Sequence, residues 1–110
     1  MADRVIEIYG SPVLRQKAEP VQNINSKVIR IIQDMFETLH HNSGVGLAAN
    51  QIGILQRLIV LTIPDSGKDL ALINPEFIET GPDKEIGEEG CLSIPGIFSK
   101  VSRFREIQVT

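Results

Sequence analysis

Two segments of the chain combine residue types and spacing that suit chemistry. Gly44–Gln51 (GVGLAANQ) places two glycines ahead of an amide side chain, and Glu89–Ser93 (EGCLS) contains the only cysteine, Cys91. A thiolate beside carboxylates and a turn can be a nucleophile or a metal ligand. An amide can donate to a developing oxyanion, and glycine lets another backbone approach closely. The two segments therefore indicate nucleophilic or metal-assisted catalysis.

Each segment also has a plainer interpretation. A lone cysteine is ordinarily a buried structural thiol, and two glycines after a helix can be a C-cap followed by small packing residues. A phosphate-binding loop is excluded, because the chain has no GxGxxG and no Lys-Ser/Thr pair at this point. A cysteine nucleophile would need a histidine base. His40 and His41 are adjacent and point about 100° apart on a helix, so we assign them to the surface and give them no catalytic role.

Length, charge and cysteine content narrow the class of protein. The 110 residues suit a single domain, and the net charge of −3 argues against nucleic-acid binding. The longest apolar stretch, Leu58–Ile63, is too short to span a membrane, and the N-terminus does not resemble a signal peptide. A single thiol fits a reducing compartment, so we expect a cytoplasmic protein.

Hydrophobic periodicity predicts the elements that must position the two segments. Apolar residues recur at helical spacing from Val28 to Leu39, with Asn25 or Ser26 as the N-cap and Asn42-Ser43-Gly44 as the end. Strands are predicted at 57–63, 70–73 and 76–79, with a further strand pair in 99–110. The alternation at 107–110 stops abruptly, so we expect a longer parent sequence.

Taken together, the two segments resemble the motifs of the peptide deformylases, metallohydrolases that remove the formyl group from the initiator methionine of new polypeptides. GxGLAAxQ is complete in Gly44–Gln51, and EGCLS is complete in Glu89–Ser93. Supporting stretches are Ser11–Arg15 (SPVLR), Leu72–Pro75 (LINP) and Val101–Arg103 (VSR). The resemblance implies an α+β fold in which an N-terminal amphipathic helix packs on a mostly antiparallel sheet.

The resemblance also implies roles for individual residues. Cys91 would be a ligand of a ferrous ion, with zinc, nickel or cobalt as possible substitutes. Gln51, through its amide, and Leu92, through its backbone N–H, would stabilise the oxyanion. Gly44, Val45 and Gly46 would run alongside the N-formylmethionyl peptide, with Val45 lining the methionine pocket. The ribosome would be a partner through the nascent chain.

Glu89 and Arg103 suggest a supporting ion pair. In the strand alternation Arg103 shares parity with Val101, Ile107 and Val109, which predicts that it faces a covered surface. A buried guanidinium needs a carboxylate, and Glu89 is the candidate beside the metal ligand. The alternative is that both side chains are solvated.

The third motif of the family, HExxH, does not occur in the 110 residues. Its two histidines and glutamate would complete the metal site and supply the general acid/base, so we expect this chain to be a truncated and inactive form. Without the HExxH helix the core would be partly uncovered, which predicts marginal stability or self-association. Two alternatives remain: a non-catalytic peptide- or partner-binding protein, and a cysteine-dependent hydrolase.

Overall fold

A computed structural model describes residues 3–110 and has an α+β fold, as expected. One α-helix and seven strands form in this part of the chain. The elements are α1 (Ser26–His41), β1 (Gly46–Ala48), β2 (Leu58–Ile63), β3 (Lys68–Ile73), β4 (Phe77–Thr80), β5 (Lys84–Cys91), β6 (Ile94–Phe104) and β7 (Ile107–Val109). Short 3-10 turns at Pro12–Arg15 and Ala49–Ile52 complete them.

Helix α1 confirms the predicted amphipathic helix. Its N-cap is Asn25, whose side-chain oxygen accepts a hydrogen bond of 3.0 Å from the Val28 N–H and so satisfies one free donor of the first turn. Met35 and Leu39 lie fully buried on the face that the spacing predicted. His40 and His41 are exposed in the last turn, and Asn42 is the C-cap.

Strands β1, β2 and β3 form an antiparallel sheet in that spatial order. The central strand β2 is the apolar run predicted for 57–63, and β3 contains the strand predicted for 70–73. Leu58 and Val60 of β2 point toward α1 and are buried, together with Leu47 of β1. This packing closes one face of the sheet. The LINP stretch then ends β3, and the Asn74 amide exchanges two hydrogen bonds, of 2.7 and 2.8 Å, with the Val21 backbone.

The remaining strands form two separate two-stranded ribbons. Strand β5 pairs with β6, and β4 pairs with β7, both antiparallel. The segment 99–110 does contain two strands, the end of β6 and β7, but they do not pair with each other as predicted. Strand β6 pairs with β5, and β7 takes a partner about 30 residues earlier in the chain. Neither β5 nor its pairing was predicted. The expected single sheet is thus three small sheets.

The second face of the β1–β3 sheet borders an apolar groove with a cavity volume of about 530 Å³. The half-buried Ile59 and Leu61 of β2 line it on one side, and Phe77, Ile107 and Val109 of the β4–β7 ribbon line it on the other. Among residues 3–110, α1 is too short and too polar to cross a membrane.

Candidate active site

Gln51 lies in the 3-10 turn Ala49–Ile52, directly after β1. Its Oε1 accepts a hydrogen bond of 3.0 Å from the backbone N–H of Ala48. Because an amide oxygen that accepts this bond must point back toward β1, the Nε2 group points the other way. The local backbone therefore fixes which end of the amide faces the second segment.

The Nε2 group of Gln51 joins the two segments that the sequence singled out. It donates to Ser93 Oγ at 3.1 Å and contacts Cys91 Sγ at 3.6 Å. The contact to sulfur is weak, because a thiol is a poor acceptor. Residues 40 and 42 positions apart in the chain thus meet at one amide, so Gly44–Gln51 and Glu89–Ser93 form one site.

Cys91 is the last residue of β5 and lies immediately before the Leu92-Ser93 turn that leads into β6. The thiol is free, and the residue is exposed. Within residues 3–110 we find no hydrogen-bond acceptor for the neighbouring Leu92 N–H. An exposed sulfur beside an unengaged N–H and an oriented amide is a place where a reacting carbonyl could be bound and polarised.

Because Gly44 has no side chain, the Leu92 side chain can pack against the core beside it. A Cβ at position 44 would lie 2.9 Å from Leu39 Cδ1 and 2.9 Å from Leu92 Cδ1, so only glycine fits without a shift. The space that a Cβ at position 44 would need is filled by Leu39 and Leu92, and contact of the Gly44 backbone with a substrate stays a prediction. Gly46 has only an ordinary contact there, 3.7 Å from Val60 O, and Val45 is 61% exposed. Val45 and Gly46 are both exposed.

Glu89 and Arg103 are paired across the β5–β6 ribbon. The Arg103 Nη2 and Nε donate to the two carboxylate oxygens of Glu89 at 2.9 and 3.0 Å. These hydrogen bonds hold the pKa of Glu89 below its usual value and raise that of Arg103. The predicted covered position of Arg103 is wrong, since its side chain is 65% exposed. Because β6 and β7 are separate strands, the alternation from Ile107 and Val109 does not continue to Arg103.

The histidines lie elsewhere on the surface. His40 Nε2 is 3.1 Å from Asp69 Oδ1, and His41 Nδ1 is 3.1 Å from Asp3 Oδ2. Since neither ring contacts Cys91, the arrangement does not provide the base that a cysteine nucleophile needs. In residues 3–110 no three side chains of His, Cys, Asp or Glu are grouped to hold a metal ion. The exposed Cys91 thiol fits a soft divalent metal as one ligand of a larger set.

Sequence reasoning missed three parts of the site. Ser93 is 4% exposed and accepts from Gln51, and the Ala48 N–H orients that amide. The backbone N–H groups of Glu7 and Tyr9 donate to the carbonyls of Gln51 and Ser93, both at 2.7 Å. The serine within EGCLS was a visible signal for Ser93. Backbone contacts from residues 7 and 9 leave no pattern in the sequence.

Comparison with known proteins gives consistent matches along the chain. The family model described as polypeptide deformylase matches residues 4–110. The peptide deformylase of Caldanaerobacter subterraneus subsp. tengcongensis is 54% identical over 110 residues, and the match covers 99% of this chain and 67% of that protein. The peptide deformylase of Thermoanaerobacter pseudethanolicus is 48% identical with the same coverage. The chain thus spans about two thirds of the length of these relatives.

Solved structures agree in fold. The crystal structure of peptide deformylase from Thermotoga maritima has a TM-score of 0.94 and 42% identity, covering 99% of this chain and 73% of that one. The peptide deformylase from Ehrlichia chaffeensis, in complex with actinonin, has a TM-score of 0.95 and 33% identity. That match covers 99% of this chain and 67% of the Ehrlichia chain.

Proposed function

Because the chain belongs to the polypeptide deformylase family, we propose that it carries the peptide-binding and oxyanion-binding parts of a peptide deformylase site. The reaction is hydrolysis of the formyl amide at an N-terminal methionine, in which water is consumed and formate and a free amino terminus are formed. One observation carries the proposal: the Gln51 amide bridges the two family motifs through its contacts with Ser93 and Cys91.

The substrate would bind in extended form along β1. This strand pairs with β2 on one side, and no strand of the described residues pairs with its other edge. A peptide can add to such an edge through main-chain hydrogen bonds, while a pocket selects its side chain. Val45 is exposed at the start of this edge and Gly46 presents no side chain, so we propose that both contact the methionine residue.

Gln51 and Leu92 would stabilise the charge that develops on the formyl oxygen. The contact between Gln51 Nε2 and Cys91 Sγ is long and weak, so Nε2 could donate to the formyl oxygen in its place. The hydrogen bond to Ser93 would meanwhile hold the amide in position. The Leu92 N–H adjoins Cys91 and is the second donor. Donors that are oriented in advance need no reorganisation as the negative charge forms, and this is the source of their effect.

The family is metal-dependent, and we propose Cys91 as the one ligand that this chain contributes. The metal we propose is Fe²⁺, with Zn²⁺, Ni²⁺ or Co²⁺ as substitutes. Such an ion supplies Lewis acidity toward the formyl oxygen and a water nucleophile at neutral pH. The Glu89–Arg103 ion pair would support the strand that ends at Cys91.

In the cell the substrate would be a nascent chain at the ribosome in the cytoplasm.

The remaining ligands and the acid/base residue do not occur as an HExxH motif in these 110 residues. We therefore predict that the 110-residue polypeptide alone has no measurable deformylase turnover. A chimera tests the proposal directly: residues 1–110 are joined to the part of the Caldanaerobacter relative that the alignment leaves uncovered, and hydrolysis of a formyl-Met peptide is measured. We expect turnover by the chimera, and its absence in a folded, metal-loaded chimera would contradict the proposed function.

Two substitutions in the chimera test the roles. Cys91→Ser should abolish metal retention and turnover together. Gln51→Ala should lower kcat by about 100- to 1000-fold, corresponding to about 3–4 kcal/mol, without loss of metal. The matched control is Gln56→Ala, five residues along the chain on the groove side. An unchanged kcat in the Gln51→Ala chimera would show that Gln51 does not stabilise the oxyanion.

A further inference from the structure

The first residues that the structure describes run across both halves of the candidate site. Glu7 donates its backbone N–H to the carbonyl of Gln51, and Tyr9 donates its own to the carbonyl of Ser93, each at 2.7 Å. Residues two apart in an extended segment present the same side of the backbone, so these donors can reach two neighbouring acceptors at once. The two acceptor residues are those whose side chains hydrogen-bond each other at 3.1 Å.

Residues 4–9 are tied to the core at their other end. The Arg4 guanidinium donates from Nε and Nη2 to Asp34 Oδ2 at 2.9 and 2.7 Å, and its backbone N–H donates to Thr38 Oγ1 at 2.8 Å. Asp34 and Thr38 are 3% and 0% exposed on α1, so residue 4 is anchored to buried groups. A hydrogen-bonded ion pair with a nearly buried carboxylate is costly to break.

We propose that residues 4–9 form a clamp that sets the position of Gln51 relative to the Cys91–Ser93 turn. Gln51 belongs to the part of the molecule that packs on α1, whereas the turn ends the largely exposed β5–β6 ribbon. The Gln51–Ser93 hydrogen bond and the packing of Leu92 on the core also join these parts, and the two hydrogen bonds of the clamp add a link through the backbone. Glu7 and Tyr9 are thus positioning residues that act through Gln51 and Ser93. The inference rests on the proposed function of Gln51.

Tyr9 allows one hydrogen bond of the clamp to be removed with little other change. It lies in a turn in which the Ser11 N–H donates to the Ile8 carbonyl at 3.0 Å and Gly10 has a φ of 100°. This is the pattern of a type II turn, whose second position accepts proline well. Tyr9→Pro therefore preserves the turn and deletes the N–H that binds Ser93. Tyr9→Ala is the matched control, because it keeps the N–H and removes a side chain that is 70% exposed.

The experiment is NMR spectroscopy on the ¹⁵N-labelled 110-residue chain and the two variants. In Tyr9→Pro we expect the Gln51 side-chain NH₂ resonances to move toward those of a solvent-exposed glutamine. The Glu7 amide should exchange with solvent about fivefold faster, the factor that one ordinary hydrogen bond represents. Tyr9→Ala should leave both observations as in the unsubstituted chain. Unchanged Gln51 resonances in Tyr9→Pro, or equal shifts in Tyr9→Pro and Tyr9→Ala, would overturn the proposal that residues 4–9 position Gln51.

A second pair of variants decides the matter if Tyr9→Pro does not fold. Arg4→Met removes the two guanidinium hydrogen bonds of the anchor but keeps the aliphatic stem and the backbone hydrogen bond to Thr38. It should move the same Gln51 resonances in the same direction. Arg105→Met, which removes an exposed arginine 3.7 Å from Glu85, is its control. A lower melting temperature in Arg4→Met without movement of those resonances would make the segment merely structural and refute the clamp. The NMR readout needs no turnover, so failure of the proposed function would be seen separately.

Discussion

The two halves of the candidate site lie on parts of the molecule that are held together very differently. Gly44–Gln51 follows α1 and rests on the core, where Leu39, Leu47 and Leu58 are at most 1% exposed. Glu89–Ser93 ends a two-stranded ribbon in which Ile86, Ile97 and Phe98 are more than 60% exposed. The first half is positioned mainly by packing, and the second by a few hydrogen bonds and the packing of one side chain, Leu92, on the core.

This difference indicates where the site can be lost without unfolding the chain. Packing of buried aliphatic side chains resists displacement in all directions, because the interior has few voids. A ribbon with exposed faces gains little from burial and depends on its strand pairing and on local anchors. The Gln51–Ser93 hydrogen bond and the clamp are such anchors. Substitutions in the first half should therefore lower the free energy of unfolding. Substitutions in the second half should first change the position of Cys91, Leu92 and Ser93 relative to Gln51.

The largest expected effect compares the parts of the molecule that carry the two halves, by truncating one aliphatic residue in the core and one in the β5–β6 ribbon. Leu58→Ala should lower the free energy of unfolding by about 2–5 kcal/mol, because Leu58 is 1% exposed and leaves a cavity. Ile86→Thr, at a residue that is 72% exposed, should change it by about 0.5 kcal/mol or less. Urea unfolding at one fixed protein concentration measures both. Similar losses for the two variants would mean that the ribbon is as tightly packed as the core.

Gly44→Ala tests whether the two halves meet through tight packing. The added methyl group would lie 2.9 Å from both Leu39 and Leu92, so one of them must move. We expect a loss of about 1–3 kcal/mol in unfolding free energy, the range for overpacking a well-filled site. Gly46→Ala is the control, since a Cβ there meets only the Val60 carbonyl at 3.7 Å. Equal stability of the two variants would contradict the close approach at Gly44.

The apolar groove gives a further expectation, that the 110-residue chain self-associates through the uncovered face of the β1–β3 sheet. Sedimentation velocity over a concentration series would measure this. Leu61→Glu places a carboxylate in the groove and should weaken association by about tenfold or more, because an unpaired charge is costly to bury. Ile86→Glu, outside the groove, is the control. A monomer at every concentration would refute the expectation.

The sequence predicted what local patterns determine. The helix and its Asn25 cap follow from 3.6-residue periodicity and a short polar side chain. Strand β2 follows from a β-branched run, and β3 from a short apolar run between turns. The two motifs also identified the segments that meet. These features depend on residues close together in the chain, so their information is present in a short window.

What the sequence did not predict depends on long-range pairing. Strand β5 contains Glu, Gly and Lys in place of an alternating apolar pattern, and its pairing with β6 makes it a strand. The partner of β7 is β4, which no local signal connects to it. Arg103 was assigned to a covered face because a break at residues 105–106 separates two strands that the parity count joined. The clamp depends on backbone groups, which are the same in every residue type.

The smallest expected effect concerns an exposed carboxylate on β3, in the sheet that packs on α1. Hydrogen bonds from Thr62 (2.8 Å) and His40 (3.1 Å), opposed by partial desolvation, hold the pKa of Asp69 below its usual value. A pKa lowered in the folded state stabilises the fold above the unfolded pKa of 3.8, and this contribution is lost as the pH falls through the folded pKa. Thr62→Val removes the largest cause, so the pKa of Asp69 should rise toward 3.8. Carboxyl ¹³C chemical shifts followed through a pH titration measure it directly, with Ser66→Ala in the neighbouring turn as the control. If the pKa of Asp69 is unchanged in Thr62→Val, the hydrogen bond from Thr62 on β2 does not lower the pKa of this carboxyl group on β3.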